Sequence, residues 1–314
     1  MKRQKRLKSQ ILYISYVLGL LRKVKMKVGL YNLEPTIVNT AMMQVSQYHK
    51  NQGDDVEQLN HLFKHTYDKI YAFSIFKETP KYYITPDMLT GGSGFNIKHK
   101  LPSAIEGCDY DWSLYPYCDY SIIWFSRGCI RKCPFCIVYD KEGFIHAVKP
   151  KNLNPYGEHI KVFDNNFFAN PTWRKSILQL KKWAQPVEFH SGIDIRIFKK
   201  AHGLALQQLK IHQQIAIAWD NPKDSIERNL QLLLKFMKPY RIKCYILIGY
   251  WSSKAEDMAR IELLRKYDID PFAMPYNKTD PYQMHFARWV NRKEIFNTVA
   301  WKDYKRYKDP DAQI

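Results

Sequence analysis

Residues 126–138 read Ser-Arg-Gly-Cys-Ile-Arg-Lys-Cys-Pro-Phe-Cys-Ile-Val. They place Cys129, Cys133 and Cys136 in a C-x3-C-x2-C spacing, directly after an apolar run at 121–125 that predicts a buried strand. A [4Fe-4S] cluster is normally held by four cysteines, and a structural zinc site also takes four ligands. Three thiolates on one loop can converge on one metal centre, and they leave one metal position open for a further ligand.

The C-x3-C-x-Phe-C arrangement, with Phe135 just before the last cysteine, resembles the signature of radical S-adenosylmethionine (SAM) enzymes. The Ser-Arg-Gly before Cys129 and the Cys-Pro-Phe-Cys core are similar to the branch that includes methylthiotransferases and cobalamin-domain radical SAM proteins. The resemblance implies that Cys129, Cys133 and Cys136 hold three irons of a [4Fe-4S] cluster. It also implies that the amino and carboxylate groups of SAM chelate the fourth iron, and that Phe135 lies near the adenine.

Two other interpretations of the cysteines are weaker. A zinc knuckle would use a similar spacing, but the nearest histidine, His146, lies ten residues past Cys136 and no second ligand pair accompanies it. A disulfide framework is less favoured still, because six cysteines in 314 residues, three of them in one loop, do not resemble the disulfide pattern of a small secreted protein.

Length and composition predict a globular protein of one large domain or two modest ones, since 314 residues with 46% apolar content can bury a sizeable core. The formal charge is +19, and nine Lys or Arg residues but no acid occur in residues 1–27. We expect the leader, 1–25, to be an extension upstream of the fold; a basic arm for a membrane surface or nucleic acid is the alternative. No run of about 18 apolar residues occurs, so we expect a soluble protein without a membrane span. Because the implied cluster is oxygen-sensitive, we also expect the protein to be cytoplasmic.

Residues 26–107 predict a small doubly wound α/β domain. Its expected strands are 27–33, 55–59, 69–75 and 82–84, with a helix over 38–50. This order resembles the cobalamin-binding domain that precedes the barrel in one radical SAM branch. The D-x-H-x-x-G loop, whose His would ligate cobalt, is absent, so we expect a degenerate domain without cobalamin. The glycine cluster at 91–94 favours a flexible connection over a phosphate cradle.

A linker is expected over 108–120, and it contains Cys108 and Cys118. Methylthiotransferases hold a second cluster, but they use three cysteines of their N-terminal domain, and only two are available here. Ordinary thiols are therefore the favoured interpretation of Cys108 and Cys118.

Six apolar runs recur in the second half of the chain, at 121–125, 160–163, 187–189, 215–219, 244–248 and 271–274. Helical periodicity separates most of them, and Asp224-x-x-Glu227 and Ser253-x-x-Glu256 match the capping-box pattern of a helix start. Strands that alternate with helices predict a parallel sheet. The resemblance implies that residues 121–276 form a partial (β/α)6 barrel similar to a TIM barrel, which is the radical SAM core.

Polar residues follow these strands, at the edge where such barrels carry their chemistry. Asp164, Asn165 and Asn166 come where the family has a motif that binds the amino group of SAM; an Asx turn is a compatible alternative. Asp194 and Arg196, two apart on an expected extended segment, would share one face, where Arg196 could bind a carboxylate of SAM or substrate. A structural Asp-Arg pair is equally favoured.

The strand ending at Gly249 is similar to the family's ribose-and-adenine motif, without its usual trailing acid. The resemblance therefore implies a cofactor-binding role for Gly249. The tail, 277–314, is basic and aromatic. Residues there that could stack on or pair with nucleic acid are Trp289, Arg292, Trp301, Tyr304, Arg306 and Tyr307. Packing of a helix across the barrel is the favoured interpretation.

The resemblance implies a radical SAM enzyme that uses a [4Fe-4S] cluster to cleave SAM. The resulting 5′-deoxyadenosyl radical would abstract hydrogen from an unidentified substrate, with an external electron donor such as a flavodoxin or ferredoxin. No residue identifies a catalytic side chain beyond the cluster ligands. Two alternatives stay open: an RNA-modifying radical SAM enzyme, and a non-catalytic iron-sulfur or zinc protein.

Overall fold

The structure is a computed structural model that describes residues 25–305. It has a mixed α/β fold with parallel sheets, and it divides into two compact units, Met1–Tyr115 and Pro116–Ile314. The leader apart from Lys25, and Arg306 and Tyr307 of the tail, lie outside the described residues. Between residues 25 and 305, no helix combines the length and the apolar character that a membrane crossing requires.

The first unit is built on a four-stranded parallel sheet with the strand order β2-β1-β3-β4. The strands are β1 (Lys27–Asn32), β2 (Asp55–Gln58), β3 (Lys69–Phe73) and β4 (Leu89–Gly91), and the helices are α1 (Thr40–Asn51) and α2 (Ser103–Glu106). The Asn39 side chain accepts a hydrogen bond from the Met42 amide at 3.1 Å, which satisfies a free donor at the start of α1. Val28 and Leu30 of β1 pack with Met42 and Val45 of α1 in the core of this unit.

The fourth strand is not at 82–84, as the sequence predicts, but at Leu89–Gly91. Tyr82 is 86% exposed, so its β-propensity gains nothing from packing, whereas Gly91 pairs with Phe73 of β3. The glycine cluster at 91–94 lies close to the end of β3. The Gly94 amide donates to the Ser74 carbonyl at 2.9 Å, and a Cβ on Gly92, which has φ +97°, would lie 2.3 Å from that same oxygen.

The second unit contains two three-stranded parallel sheets, with the orders β5-β8-β9 and β10-β11-β12, and an antiparallel pair, β6-β7. The strands are β5 (Tyr120–Ile123), β6 (Ser126–Arg127), β7 (His146–Ala147), β8 (His159–Val162), β9 (Val187–Phe189), β10 (Ile215–Ala218), β11 (Ile242–Ile248) and β12 (Asp270–Pro275). Each of the six predicted apolar runs therefore forms a parallel strand. Single parallel bridges join Val187 to Ile211 and Ile193 to Ile217.

The helices of the second unit are α3 (Val138–Glu142), α4 (Trp173–Trp183), α5 (Lys200–Leu206), α6 (Glu227–Leu234), α7 (Lys254–Lys266), α8 (Pro281–Asn291) and α9 (Lys293–Thr298). Most of them follow a parallel strand and pack on one sheet face, where alternate strand residues such as Ile160, Ile217 and Ile246 form the core. The residues that alternate with these core residues along each strand form the other face of the sheet, which we call the lysine face after Lys161.

Only one of the two predicted capping boxes forms. Ser253 and Glu256 bond reciprocally at the start of α7. Helix α6 instead begins at Glu227 without a side-chain cap, and the Asp224 carboxylate accepts from Arg196 Nη1 at 3.0 Å. A charge-assisted bond to a guanidinium outcompetes a bond to a backbone amide, so the local pattern is overridden by a distant partner.

Candidate functional site

The cysteine loop leaves β6 through Gly128, which has φ +78°. A Cβ at this position would lie 2.6 Å from the carbonyl oxygens of Gly143 and Phe144, so only glycine allows the two chain segments to approach this closely. The Cys129 amide donates to the Gly143 carbonyl at 3.2 Å, and the Cys136 amide donates to the Cys133 carbonyl at 3.0 Å. Backbone bonds therefore hold the loop at both ends of the motif.

Glu142 anchors the same loop from the end of α3, and sequence reasoning missed it. Its carboxylate accepts from Arg127 Nη2 at 2.6 Å, the Gly128 amide at 2.8 Å and Asn165 Nδ2 at 2.8 Å. The carboxylate thereby ties the entrance of the cysteine loop to the segment that follows β8. Nothing in the local sequence around Glu142 signals this role, because Asn165 is 23 positions away.

The three cysteine side chains are free and partly exposed. Burial raises the pKa of the Cys133 and Cys136 thiols, and neighbouring cysteines raise both pKa values further, so the three sulfurs lie within electrostatic range of one another. The Arg196 guanidinium opposes this effect at Cys133. Thiol ligands suit iron and zinc, and a bound cation would reverse the rise by stabilising the thiolates. In residues 25–305, however, no group of three or more His, Cys, Asp or Glu side chains is preassembled around a metal position.

Asp164 lies at the end of β8 and is almost fully buried. It accepts from the Phe125 amide at 2.7 Å and from Ser126 Oγ at 2.5 Å, so it fixes the turn between β5 and β6. Burial raises the pKa of Asp164 to about 6, although these hydrogen bonds oppose the rise. The structure therefore gives Asp164 a structural role in aiming the cysteine loop.

Asn166 and Asp194 meet beside Cys129. Asn166 Nδ2 lies 3.2 Å from Asp194 Oδ2 and 4.0 Å from Cys129 Sγ. Arg131, which stands between two of the cysteines, donates through Nε to the same Asp194 oxygen at 2.6 Å, and its amide lies 3.4 Å from Cys129 Sγ. Asn166 is 3% exposed, and its Oδ1 accepts no hydrogen bond from any residue in the described part of the chain. An acceptor buried without a donor is costly, so this oxygen is suited to a ligand donor.

Asp194 and Arg196 form the expected pair, but not on an extended segment. Residues Ile195–Ile197 form a 3₁₀ turn that the Asp194 side chain caps, and Arg196 Nε donates to Asp194 Oδ1 at 2.7 Å. Burial alone would raise the pKa of Asp194, but the bonds from Arg196 and Arg131 outweigh it and hold the pKa below its usual value. Because Arg196 Nη1 also binds Asp224, the structural-pair interpretation describes this arginine in the structure.

Phe135 packs against the residues that follow β11. Its ring lies 5.5 Å from Tyr250 and 5.3 Å from Trp251, edge-on in both cases. Gly249, with φ +76°, begins this segment, and a Cβ there would lie 2.1 Å from the Gln283 side chain. The structure therefore brings the predicted residues Phe135 and Gly249 into one neighbourhood.

Arg260 is a second residue that sequence reasoning missed. It lies on α7, is 2% exposed, and donates to Asp257 Oδ1 at 2.7 Å and Ser252 Oγ at 3.1 Å. It also donates to three backbone carbonyls beyond the ends of β10 and near the end of β11, those of Trp219, Asp220 and Leu247. The local sequence gives no reason to bury a guanidinium group here, and only the tertiary fold shows that Arg260 organises the strand ends.

No protein-family model matches the chain, and no curated protein shows significant similarity to it. The resemblance to radical SAM enzymes therefore stays a prediction that the motif residues carry.

The remaining predicted features make local contacts of their own. Cys108 Sγ lies 3.3 Å from the Ala104 carbonyl, and Cys118 Sγ lies 3.4 Å from the Tyr120 carbonyl. His146 is exposed, and its Nδ1 contacts the Phe144 carbonyl at 3.0 Å.

In the described part of the tail, Trp289 is fully buried, and Trp301 packs on it at 5.4 Å between ring centroids. Tyr304 stacks on His285 at 4.7 Å. Packing against the core thus occupies the aromatic rings of Trp289, Trp301 and Tyr304, while Arg292 is exposed.

Proposed function

We propose that the second unit is a radical SAM enzyme with an open six-stranded (β/α) barrel, and that the first unit is a reduced doubly wound domain without cobalamin. Three features support the barrel: the strand order follows the chain, the six strands are parallel, and the Ile193–Ile217 bridge continues β9 toward β10. The carboxyl ends of these strands carry Asp164, Asn166 and Asp194, which is the edge where such folds bind their ligands.

The donor set of Cys129, Cys133 and Cys136 fits a [4Fe-4S] cluster that has one open iron. When bound and reduced by an external donor, such a cluster supplies the electron that cleaves SAM into methionine and a 5′-deoxyadenosyl radical, which abstracts hydrogen from the substrate. The chain's own residues position the loop. Arg131 and Asn166 bring polar hydrogens toward Cys129 Sγ, and hydrogen bonds to cluster sulfurs tune a reduction potential.

The observation that carries the proposal is the unpartnered Asn166 Oδ1 beside Cys129. An ammonium group is the donor that best compensates a buried amide oxygen. The amino group of SAM, bound next to an open iron, would supply this donor. Asp194 cannot serve equally well, because Arg131, Arg196 and Asn166 already occupy its two oxygens.

The test is anaerobic reconstitution with iron and sulfide, followed by addition of dithionite and SAM. We expect about four irons per chain and 5′-deoxyadenosine in the wild type. Cys133→Ala should lose 5′-deoxyadenosine, whereas Cys244→Ala, which changes a buried thiol away from the loop, is the control and should keep it. Stoichiometric zinc in place of iron, or equal product from Cys133→Ala, would contradict the proposal.

A second comparison isolates the SAM contact. Asn166→Ala should keep the iron content and weaken SAM binding at least tenfold, measured by equilibrium dialysis against the reconstituted protein. Asn165→Ala, whose amide bonds to Glu142 instead, is the matched control and should bind SAM within about threefold of the wild type. Equal SAM affinity in all three proteins would remove the role given to Asn166.

A further inference from the structure

The lysine face of the second unit carries a group of charged and polar side chains that the proposed SAM site does not use. It lies on the side of β5, β8, β9 and β11 opposite the core. The residues that define it are Tyr120, His159, Lys161, Glu188, His190 and Tyr245. Lys161 and Glu188 stand side by side, because they are register partners in the parallel pair of β8 and β9.

The ammonium group of Lys161 has unused hydrogen-bond donors. Its Nζ lies 3.7 Å from Glu188 Oε2 and 3.9 Å from the centre of the Tyr120 ring. Neither distance is a hydrogen bond, and Lys161 Nζ donates to no other residue that the structure describes. An ammonium group has three donors, and this side chain is only partly exposed, so an acceptor on a ligand would be well placed here.

The carboxylate of Glu188, in contrast, already has two histidine side chains beside it. His190 Nδ1 lies 3.0 Å from its Oε1, and His159 Nε2 lies 3.8 Å from its Oε2. The hydrogen bond from His190 lowers the pKa of Glu188, and burial lowers the pKa of His159. A ligand that bound through Glu188 would have to displace His190, whereas one that bound through Lys161 would break no hydrogen bond.

A second observation points to a ligand at the same place. His159 is 6% exposed, and its Nε2 has no hydrogen-bond partner among residues 25–305. Tyr245 is on the lysine face of β11, and burial raises the pKa of its hydroxyl. Unused polar groups of His159 and Lys161 thus lie two residues apart on one face of β8.

An aromatic row lies next to this polar group. Trp124 and Phe163 are 5.3 Å apart, and Phe163 and His190 are 4.3 Å apart, between ring centroids. Phe163 is two residues further along its chain segment than Lys161, so in a parallel sheet it lies nearer the strand ends that carry the cysteine loop. Strand β10 contributes only the small side chains of Ala216 and Ala218 to this face.

We propose that the lysine face binds a small ligand with an anionic group, a carboxylate or a phosphate, and an apolar or aromatic body. The anion would bind Lys161, and the body would pack on Trp124 and Phe163 toward the cysteine loop. That this ligand is also the molecule that loses a hydrogen atom rests on the proposed function; its binding does not.

Four probes with one phenyl body and different charge test the proposal: phenylacetate, phenyl phosphate, phenethylamine and benzyl alcohol. Their dissociation constants are measured by ligand-detected NMR titration on the full chain, without SAM or reductant. We expect at least one of the two anions to bind at least tenfold more tightly than the amine and the alcohol. The tighter of the two anions identifies the source of the charge as carboxylate or phosphate.

Lys161→Met should weaken the preferred anion at least tenfold, and Lys161→Arg, which keeps the charge, should retain it. Lys182→Met, on the exposed side of α4, is the control and should bind like the wild type. Tighter binding of phenethylamine, no binding of any probe, or unchanged anion binding in a folded Lys161→Met variant would each overturn the proposal. The two proposals can fail separately. If the chain binds the anion but takes up no iron, only the proposed radical SAM activity is contradicted. If the chain forms 5′-deoxyadenosine but binds no anion, only the proposed ligand site is contradicted.

Discussion

Replacement of Arg260 by methionine should destabilise the second unit more than any surface substitution. Methionine keeps much of the volume but removes the donors to Asp257, Ser252 and three backbone carbonyls. Loss of one partner from a buried ion pair costs about 3–5 kcal/mol, because the other charge is left uncompensated. Ser252 Oγ, at 2.5 Å, still donates to Asp257, so we expect a loss near the middle of that range, about 4 kcal/mol.

The assay is thermal unfolding followed by circular dichroism, supported by urea titration. In a domain of roughly 150–250 residues, about 4 kcal/mol lowers Tm by about 8–16 °C. Arg228→Met, on an exposed position of α6, is the matched control and should stay within about 0.5 kcal/mol of the wild type. A Tm loss below about 3 °C for Arg260→Met would show that the buried guanidinium does not hold the strand ends.

Two further predictions concern the cysteine loop. Burial raises the pKa of Asp164 to about 6, above the unfolded value of about 3.9, so its contribution to stability is full below about pH 4 and is lost as the pH rises to about 6. That contribution is about 3 kcal/mol, and urea titrations from pH 4 to 7 should show the corresponding part of the slope vanish in Asp164→Asn. Gly128→Ala should lower Tm more than Gly53→Ala: both residues have positive φ, but only at Gly128 would the new Cβ lie 2.6 Å from backbone oxygen, and equal Tm losses would contradict this.

The parallel strands could be predicted from the sequence because a strand buried in a sheet has a recognisable run of apolar residues. The run at 244–248 is apolar over its whole length, the run at 160–163 is interrupted only by Lys161, and both form strands whose alternate residues reach the core. The error at 82–84 has the opposite cause. Tyrosines have high β-propensity anywhere, but a strand needs a partner edge, and Phe73 pairs with Gly91 instead.

The side-chain partners of the site could not be predicted, because they depend on contacts between distant segments. Arg131 and Asp194 are 63 positions apart, and Trp219 and Arg260 are 41 apart. The cysteine spacing identified candidate ligands from local pattern alone. Nothing in that spacing indicates that Glu142 would hold the loop or that Asp224 would bind Arg196 instead of capping α6.

The charge network around Asp194 explains why arginine stands inside the cysteine motif. Asp194 accepts from Arg131 through one oxygen and from Arg196 through the other, so a single carboxylate joins the cysteine loop to the segment after β9. Arg196, which also binds Asp224, opposes the rise that burial causes in the pKa of Cys133. Three thiolates require such compensation if they are to lie together. Arg131 and Arg196 are therefore positioning residues: Asp194 holds both guanidinium groups, and the charge of Arg196 favours the thiolate form of Cys133.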